Sequence, residues 1–467
     1  MENVGLGSQV NIIRSKRVLI GKNVSPADIL IGDGKIISID PWGKQQPAKG
    51  SQLLDVGNLV VMPGVIDSHV HVNEPGRTDW EGFHTATRAA AAGGITTIVD
   101  MPLNSLPPTT SVSNFHIKRK AAEGQCFVDV AFWGGIIPNN QVEILPMLHA
   151  GVAGFKCFLI SSGVPEFPHV SLMDLHTAMP ELQGTNSVLL FHAELDDPKR
   201  DTVIGDHVLY KTFLDSRPDQ MEVAAVEAVV CLCLEYKVRC HIVHLSSAKS
   251  LPIIRKAKMA GAPITVETTH HYLSLTAEYI PPGATYYKCC PPIRDHNNKE
   301  ALWRALQQGD IDMVVSDHSP CTPDLKLLQD GDFMDAWGGI SSLQLGLSLF
   351  WSSARGRGFT VSDVSQLLSS NPAKLCSLDN CKGSIKIGYD ADFVIWDPDK
   401  EYQVQESRLH HKNKLTPYLG FRLWGDIVAT LVRGILVYHK GRHYPRACGK
   451  PVLLRTISPP EPSAPYY

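Results

Sequence analysis

Eight apolar runs rich in β-branched residues recur through the middle of the chain, and most are followed by a segment of helical periodicity. The runs are VVMPGVIDSHVH (60–71), GITTIVDMP (94–102), VDVAFWGG (128–135), VAGFKCFL (152–159), SVLLFHAE (187–194), VRCHIVHL (238–245), APITVETTH (262–270) and DMVVSDHS (312–319). Helical segments between them include WEGFHTATRAAAAG, TSVSNFHIKRKAAEG, MEVAAVEAVVCLCLEYK, SAKSLPIIRKAKMAG and NKEALWRALQQG. Continuous apolar strands alternating with helices are the pattern of a parallel sheet covered on both faces. Eight such units closing on themselves predict an α/β fold of the (β/α)8 barrel type. An open doubly wound sheet is the competing arrangement, but no GxGxxG opens a helix after the first strand.

The two ends of the chain read differently. VNIIRSK, RVLIG, ADILIGDG and KIISID in the first 60 residues, and SIKIG, ADFVIWDP, DIVATLVRG and ILVYHKG near the other end, are short strands broken by Gly, Asn and Pro. Chain termini often lie close together, so these two sets are expected to form one small β-sandwich. The division is then 1–60 for the first part of the sandwich, 61–382 for the barrel, 383–457 for the second part, and a Pro-rich arm over 458–467.

Composition narrows the function classes. The 467 residues carry 44 Lys+Arg against 47 Asp+Glu, a net charge of −3 that is too balanced for a nucleic-acid or polybasic membrane binder. Eleven cysteines, none in a CxxC pair, indicate buried thiols in a reducing compartment rather than a disulfide framework. No signal-peptide pattern opens the sequence and no uninterrupted apolar run reaches 18 residues. The reading is a soluble intracellular protein, cytoplasmic or peroxisomal.

A barrel places its active site at the C-terminal ends of its strands. The first run ends in His69-Val70-His71, whose imidazoles share a face because i and i+2 do so on a strand. Such a pair suits a transition metal, and in isolation it suits a hydrogen-bonded core equally well. The other ends tip the balance. The fifth run ends His192-Ala193-Glu194, the sixth reaches His244, the eighth ends Asp317-His318-Ser319, and the fourth holds Lys156 in an apolar strand. Lysine is almost never fully buried unless paired or chemically used. Two metal ions need more ligands than His69, His71, His192, His244 and Asp317 offer. A Lys156 amine that has added CO2 is a carbamate able to span two ions; an ammonium there is repelled, so Lys156 is either modified or outside the site.

These residues carry a resemblance. Val65-Ile66-Asp67-Ser68-His69-Val70-His71, the strand-four lysine, the two later histidines with the aspartate, and GSIKIGYDADFVIWDP resemble the cyclic amidohydrolase branch of the amidohydrolase superfamily, over nearly the whole chain. The resemblance implies a binuclear centre of two divalent ions, usually zinc. His69 and His71 would hold one ion and His192 and His244 the other. Lys156, carboxylated by CO2, would bridge them, and Asp317 would bind the first ion and act as general base. Small-molecule cyclic amides are the implied substrates, cleaved by a metal-activated hydroxide, and homotetramers are common in the branch.

Asn73-Glu74-Pro75-Gly76-Arg77, Met101-Pro102-Leu103-Asn104, Lys288-Cys289-Cys290-Pro291-Pro292 and Ser319-Pro320-Cys321 are similar to the allantoinase group, which opens the ring of the cyclic ureide allantoin. Dihydroorotases carry an arginine at the position of Asn73. A dihydropyrimidinase or hydantoinase activity, or a non-catalytic relative, is the alternative. Asn104, Cys290, Ser319 and Gly339 are candidates to hold the ureide; Asn104 reads also as a turn residue and Cys290 as a small buried side chain. His270-His271 and His410-His411 read as structural or surface pairs, with His270 and Asp67 as possible outer partners of the ligating histidines. Arg77 and Glu81 read either as a pair across the loop after the first strand or as part of a solvated face.

Overall fold

The structure is a computed structural model that describes residues 5–199 and 202–454. The Pro-rich arm expected over 458–467 lies outside the described residues.

The run at 60–71 is two strands, not one. Val60–Pro63 pairs with Ile12–Ile20 on one side and Phe393–Gln403 on the other, in the sheet built from the chain ends. Val65–Val70 is the first barrel strand. Between them a Cβ on Gly64 would lie 2.1 Å from the Thr96 hydroxyl, so the junction passes a neighbouring strand too closely for any side chain.

The remaining barrel strands are Ile95–Asp100, Asp129–Phe132 continued by Gly134–Gly135, Phe155–Phe158, Val188–His192, Arg239–Ile242, Ile264–Thr269 and Met313–Val315. Each pairs in parallel with the next. The third strand breaks at Trp133: its first piece pairs with the second strand and its Gly-Gly piece with the fourth. Closure between the eighth and first strands comes from a Val70–His318 bridge and from the Ser316 amide, which donates to the Asp67 carboxylate at 3.2 Å.

The helices fall where the periodicity puts them. Phe83–Ala92 buries Ala89 through Ala92 against the barrel, and Val112–Ala122, Asp219–Tyr236, Leu251–Met259 and His296–Gln308 follow. Side chains at the helix starts satisfy otherwise unpaired amides: Ser111 accepts from Asn114 N and Asp295 from Asn298 N.

The two chain ends form one nine-stranded sheet. VNIIRSK and RVLIG are one strand with a register shift between Ser15 and Val18. SIKIG (384–388) is not a strand; its glycine closes a turn, with the Gly388 amide donating to Ile36 O at 2.8 Å. The sheet curls on itself: Val10 N donates to Gly434 O, and Gly434 N to Ala391 O, both at 2.8 Å. Ile13, Ile29, Phe393 and Leu431 therefore meet in one core. The architecture is a (β/α)8 barrel with a small β-domain made from both ends of the chain. No helix among the described residues is long and apolar enough to cross a membrane.

Candidate active site

The ends of five different strands converge. His69 lies in the first strand and His71 just past it, Lys156 in the fourth, His192 at the end of the fifth, His244 two residues past the sixth and Asp317 two past the eighth. His244 and Asp317 take φ of 39° and 44°, the left-handed region that a side chain with a Cβ avoids at a cost of about 1–3 kcal/mol. That backbone turn carries both side chains inward from strands that have already ended.

His69, His71 and Asp317 present ligand atoms within 4.8 Å of one another. Asp317 Oδ1 is 3.1 Å from His69 Nε2 and 3.6 Å from His71 Nε2. The histidines continue as a chain of rings, with His69 and His244 centroids 5.3 Å apart and His244 and His192 centroids 4.6 Å apart. The Lys156 amine is buried and has no hydrogen-bond partner; it sits 5.0 Å over the ring of Phe158, which stacks on His192.

Outer carboxylates fix two of the imidazoles. Glu267 meets His69 Nδ1 at 2.5 Å and also His241 Nε2 at 3.1 Å. Glu194 meets His192 Nε2 at 2.6 Å and is itself held by Arg217 at 2.6 Å. Each of these rings thus has one nitrogen oriented by a carboxylate outside the site, and the other nitrogen of His69 faces Asp317 within it. Asp67 and His270, the outer partners anticipated from sequence, do neither job. Asp67 closes the barrel through Ser316 N, and His270 packs beneath Gly346, whose Cβ would lie 2.6 Å from the ring.

The electrostatics follow from burial and neighbours. Burial pulls the Lys156 amine down to about 8, against the attraction of Glu267 and Asp317. Burial alone would raise the Asp317 carboxyl, but the His69 and His71 rings hold it well below the ordinary carboxylate range. Glu267 is likewise opposed by burial yet held down at about 2 by His69 and His241. Arg77 and Glu81 do not pair with each other. Arg77 binds Glu166 at 2.6 Å and Asn104 O at 2.8 Å, whereas Glu81 binds His318 at 3.0 Å.

One cavity of about 230 Å³ gathers all ten residues singled out in the sequence: His69, His71, Lys156, His192, His244 and Asp317 at one end, with Asn104, Cys290, Ser319 and Gly339 also in its lining. His270, His271 and His411 are buried outside it and His410 is half-buried, in structural positions. Sequence reasoning passed over Glu194, Glu267 and Arg217. Two signals were available: Glu194 lies two residues after His192, and Glu267 is a charge within the apolar seventh run, just as Lys156 is within the fourth.

Residues 60–437 match the amidohydrolase family. A mitochondrial allantoinase of Aquarana catesbeiana is 73% identical over 384 residues, which cover 82% of this chain and 79% of that protein. An allantoinase of Saccharomyces cerevisiae is 45% identical over 443 residues, covering 92% and 95%. Among solved structures, the L-hydantoinase (dihydropyrimidinase) of Arthrobacter aurescens superposes with a TM-score of 0.89 at 30% identity, over 96% of this chain and 100% of that one. The chain therefore belongs to the amidohydrolase family, in the branch of cyclic amidohydrolases that holds the allantoinases.

Proposed function

We propose that this chain hydrolyses the ring amide of allantoin to give allantoate. The observation that carries the reading is the cavity itself: four imidazoles, an ionised aspartate and an unpartnered buried lysine at one end, and a polar recess beside them. Relatives at 73% and 45% identity are allantoinases by name, which supports the choice of substrate.

The donor set fits two divalent ions, which we take to be zinc. His69 and His71 would hold one with Asp317, and His192 and His244 the other. The orphaned amine of Lys156 supports its conversion to a carbamate with CO2, because a buried amine without an anion gains a bridging role only as an anion itself. When bound, the ions would polarise the ring carbonyl and acidify the attacking water.

The chain's own residues do the rest. Asp317 takes the proton of the attacking water on a carboxylate oxygen and passes it to the leaving ring nitrogen. Its carboxylate is ionised and free to accept, its low proton affinity suits the second step, and its reach to both His69 and His71 keeps that oxygen oriented. Asn104, Ser319, Gly339 and the backbone at Cys290 hold the ureide. The buried Asn104 Oδ1 lacks a partner, so an acceptor stands ready beside the histidines.

We extend the reading to a homo-oligomer, a tetramer as in related enzymes, supported by Val142 and Met173, apolar side chains about 70% exposed on adjoining elements. All eleven cysteines are free, which supports a reducing intracellular compartment. The test is metal analysis on the purified protein, with turnover of allantoin, hydantoin and dihydrouracil measured on the same sample. About two ions per chain and turnover favouring allantoin are expected. Preference for hydantoin would move the chain to the activity of its structural neighbour, and absence of bound metal would end the reading.

A further inference from the structure

Part of the cavity wall is a six-residue stretch, 334–339, with Asp335 through Gly339 in the lining. Two lysines are buried against it, Lys288 at 7% and Lys326 at 4% exposure. Neither meets a carboxylate. Lys288 Nζ donates to Met334 O at 2.8 Å and Ala336 O at 2.5 Å; Lys326 Nζ donates to Trp337 O at 2.9 Å and Gly339 O at 2.6 Å. Four carbonyls of one short stretch are therefore taken by two ammonium groups that come from different segments, after the seventh and after the eighth barrel strands.

Burying a cation against neutral acceptors alone is an expensive way to tie down a loop. The arrangement does something a neutral donor would do less firmly, which is to fix the direction of the peptide dipoles. In a trans peptide the carbonyl and the following N–H point opposite ways. With Trp337 O turned onto Lys326, the Gly338 amide must face away from that lysine. It has no hydrogen-bond partner among the described residues, and Gly338 lines the cavity. Gly339 takes φ of 139°, and a Cβ there would stand 2.1 Å from Ser319 O, so the stretch is also pressed against the strand-eight loop that carries Asp317. On its outer side Trp337 packs edge-on against Trp80 at 5.0 Å, and Arg77 lies over Trp80.

We infer that Lys288 and Lys326 are positioning residues that clamp this wall so that the Gly338 amide is held as a free donor for the carbonyl of the substrate's exocyclic urea arm. The inference rests on the proposed ureide substrate. The clamp acts on binding of the arm and leaves the metal ligands untouched, so it discriminates allantoin from hydantoin, which has the ring without the arm.

The test uses the full-length metal-loaded protein with Lys326→Met and Lys288→Met. Steady-state kinetics on allantoin and hydantoin are read beside metal content and hydrogen exchange of the 334–339 amides. Each variant is expected to raise KM for allantoin about tenfold with kcat within about twofold, to leave hydantoin kinetics and the bound metal unchanged, and to speed exchange over 334–339. If Lys288→Met does not fold, Lys326→Met answers alone. Unchanged exchange and unchanged KM overturn the clamp, as does a fall in kcat with loss of metal at constant KM. Failure of the wild-type protein to turn over allantoin overturns the substrate reading instead, and is told apart because the exchange readout needs no substrate.

Discussion

Lys156 and Lys382 are both buried lysines, in two regions of the molecule, and they have opposite surroundings. Lys382 sits where the barrel meets the end sheet, with Asp392 at 2.6 Å and Asp129 and Asp390 at 2.9 Å, while Arg433 binds Asp129 from another side. Its ammonium is held well above the ordinary lysine range by these carboxylates, which outweigh the cost of burial. Lys156 has no hydrogen bond, and burial brings it down to about 8. The three aspartates around Lys382 lie as close together as metal ligands do, but that space already holds a cation. Burial marks both lysines; only the missing partner marks a site for chemistry.

The largest expected effect breaks this comparison from the Lys156 side. Lys156→Ala should lose bound metal and activity together while keeping its fold, measured by metal analysis, turnover and circular dichroism on one preparation. Full metal and full activity in that variant would remove the bridging role. From the other side, Lys382→Met should retain metal and kcat but lose about 3–5 kcal/mol of stability in urea unfolding, because it leaves the buried Asp392 without its cation and takes one from Asp129 and Asp390. A Lys382→Met protein as stable as wild type would mean that Arg433 and Lys35, which bind Asp129 and Asp390, compensate the cluster.

A smaller effect sharpens the view that the site depends on groups beyond its ligands. Glu267→Gln and Glu194→Gln each remove the charge that orients one imidazole, and a loss of roughly 10–100-fold in metal affinity is expected from competition with a chelator. Equal affinity in either variant would show that its histidine is held by packing alone. For His192, the Phe158 ring stacked at 4.5 Å is the packing that would be responsible.

How far the sequence reached has a physical pattern. The barrel strands were legible because each is buried on both faces and so reads as an unbroken apolar run. The candidate ligands His69, His71, His192, His244 and Asp317 were legible because they stand at the ends of those runs, and Lys156 because it is a charge inside one. What the pattern hid was pairing. In the run at 60–71 the break between the two strands is marked only by Pro63-Gly64, and the apolar residues on either side of it do not show that Val60–Pro63 belongs to another sheet. VNIIRSK and RVLIG looked like two strands because the register shift at Ser15 puts polar residues in mid-strand. Arg77 and Glu81 are four apart and of opposite charge, yet they bind Glu166 and His318, contacts that span 89 and 237 residues. Such partners depend on which loops the closed barrel brings together, and no local spacing encodes that.

The weakest expected effect concerns half-buried bases that have no carboxylate to keep them charged. His410 and His443 stack edge-on at 4.4 Å between the first barrel helix and the end sheet, and His443 Nε2 donates to Arg88 O at 2.8 Å. Burial, with the neighbouring His443 ring and the cations of Arg88 and Lys414, pulls His410 down to about 3, and burial with the Arg88 cation pulls His443 to about 4. In the unfolded chain both titrate near the ordinary value of about 6.5. Below that pH the unfolded state binds protons that the folded state refuses, so stability is full above pH 6.5 and falls as the pH drops toward 4. Urea midpoints at pH 7 and pH 5 should differ by less in His443→Gln, which keeps the hydrogen bond to Arg88 O but cannot take up a proton. An unchanged difference would assign the acid sensitivity to other histidines, because Asp390, held below its ordinary range by Lys382, keeps its contribution at pH 5.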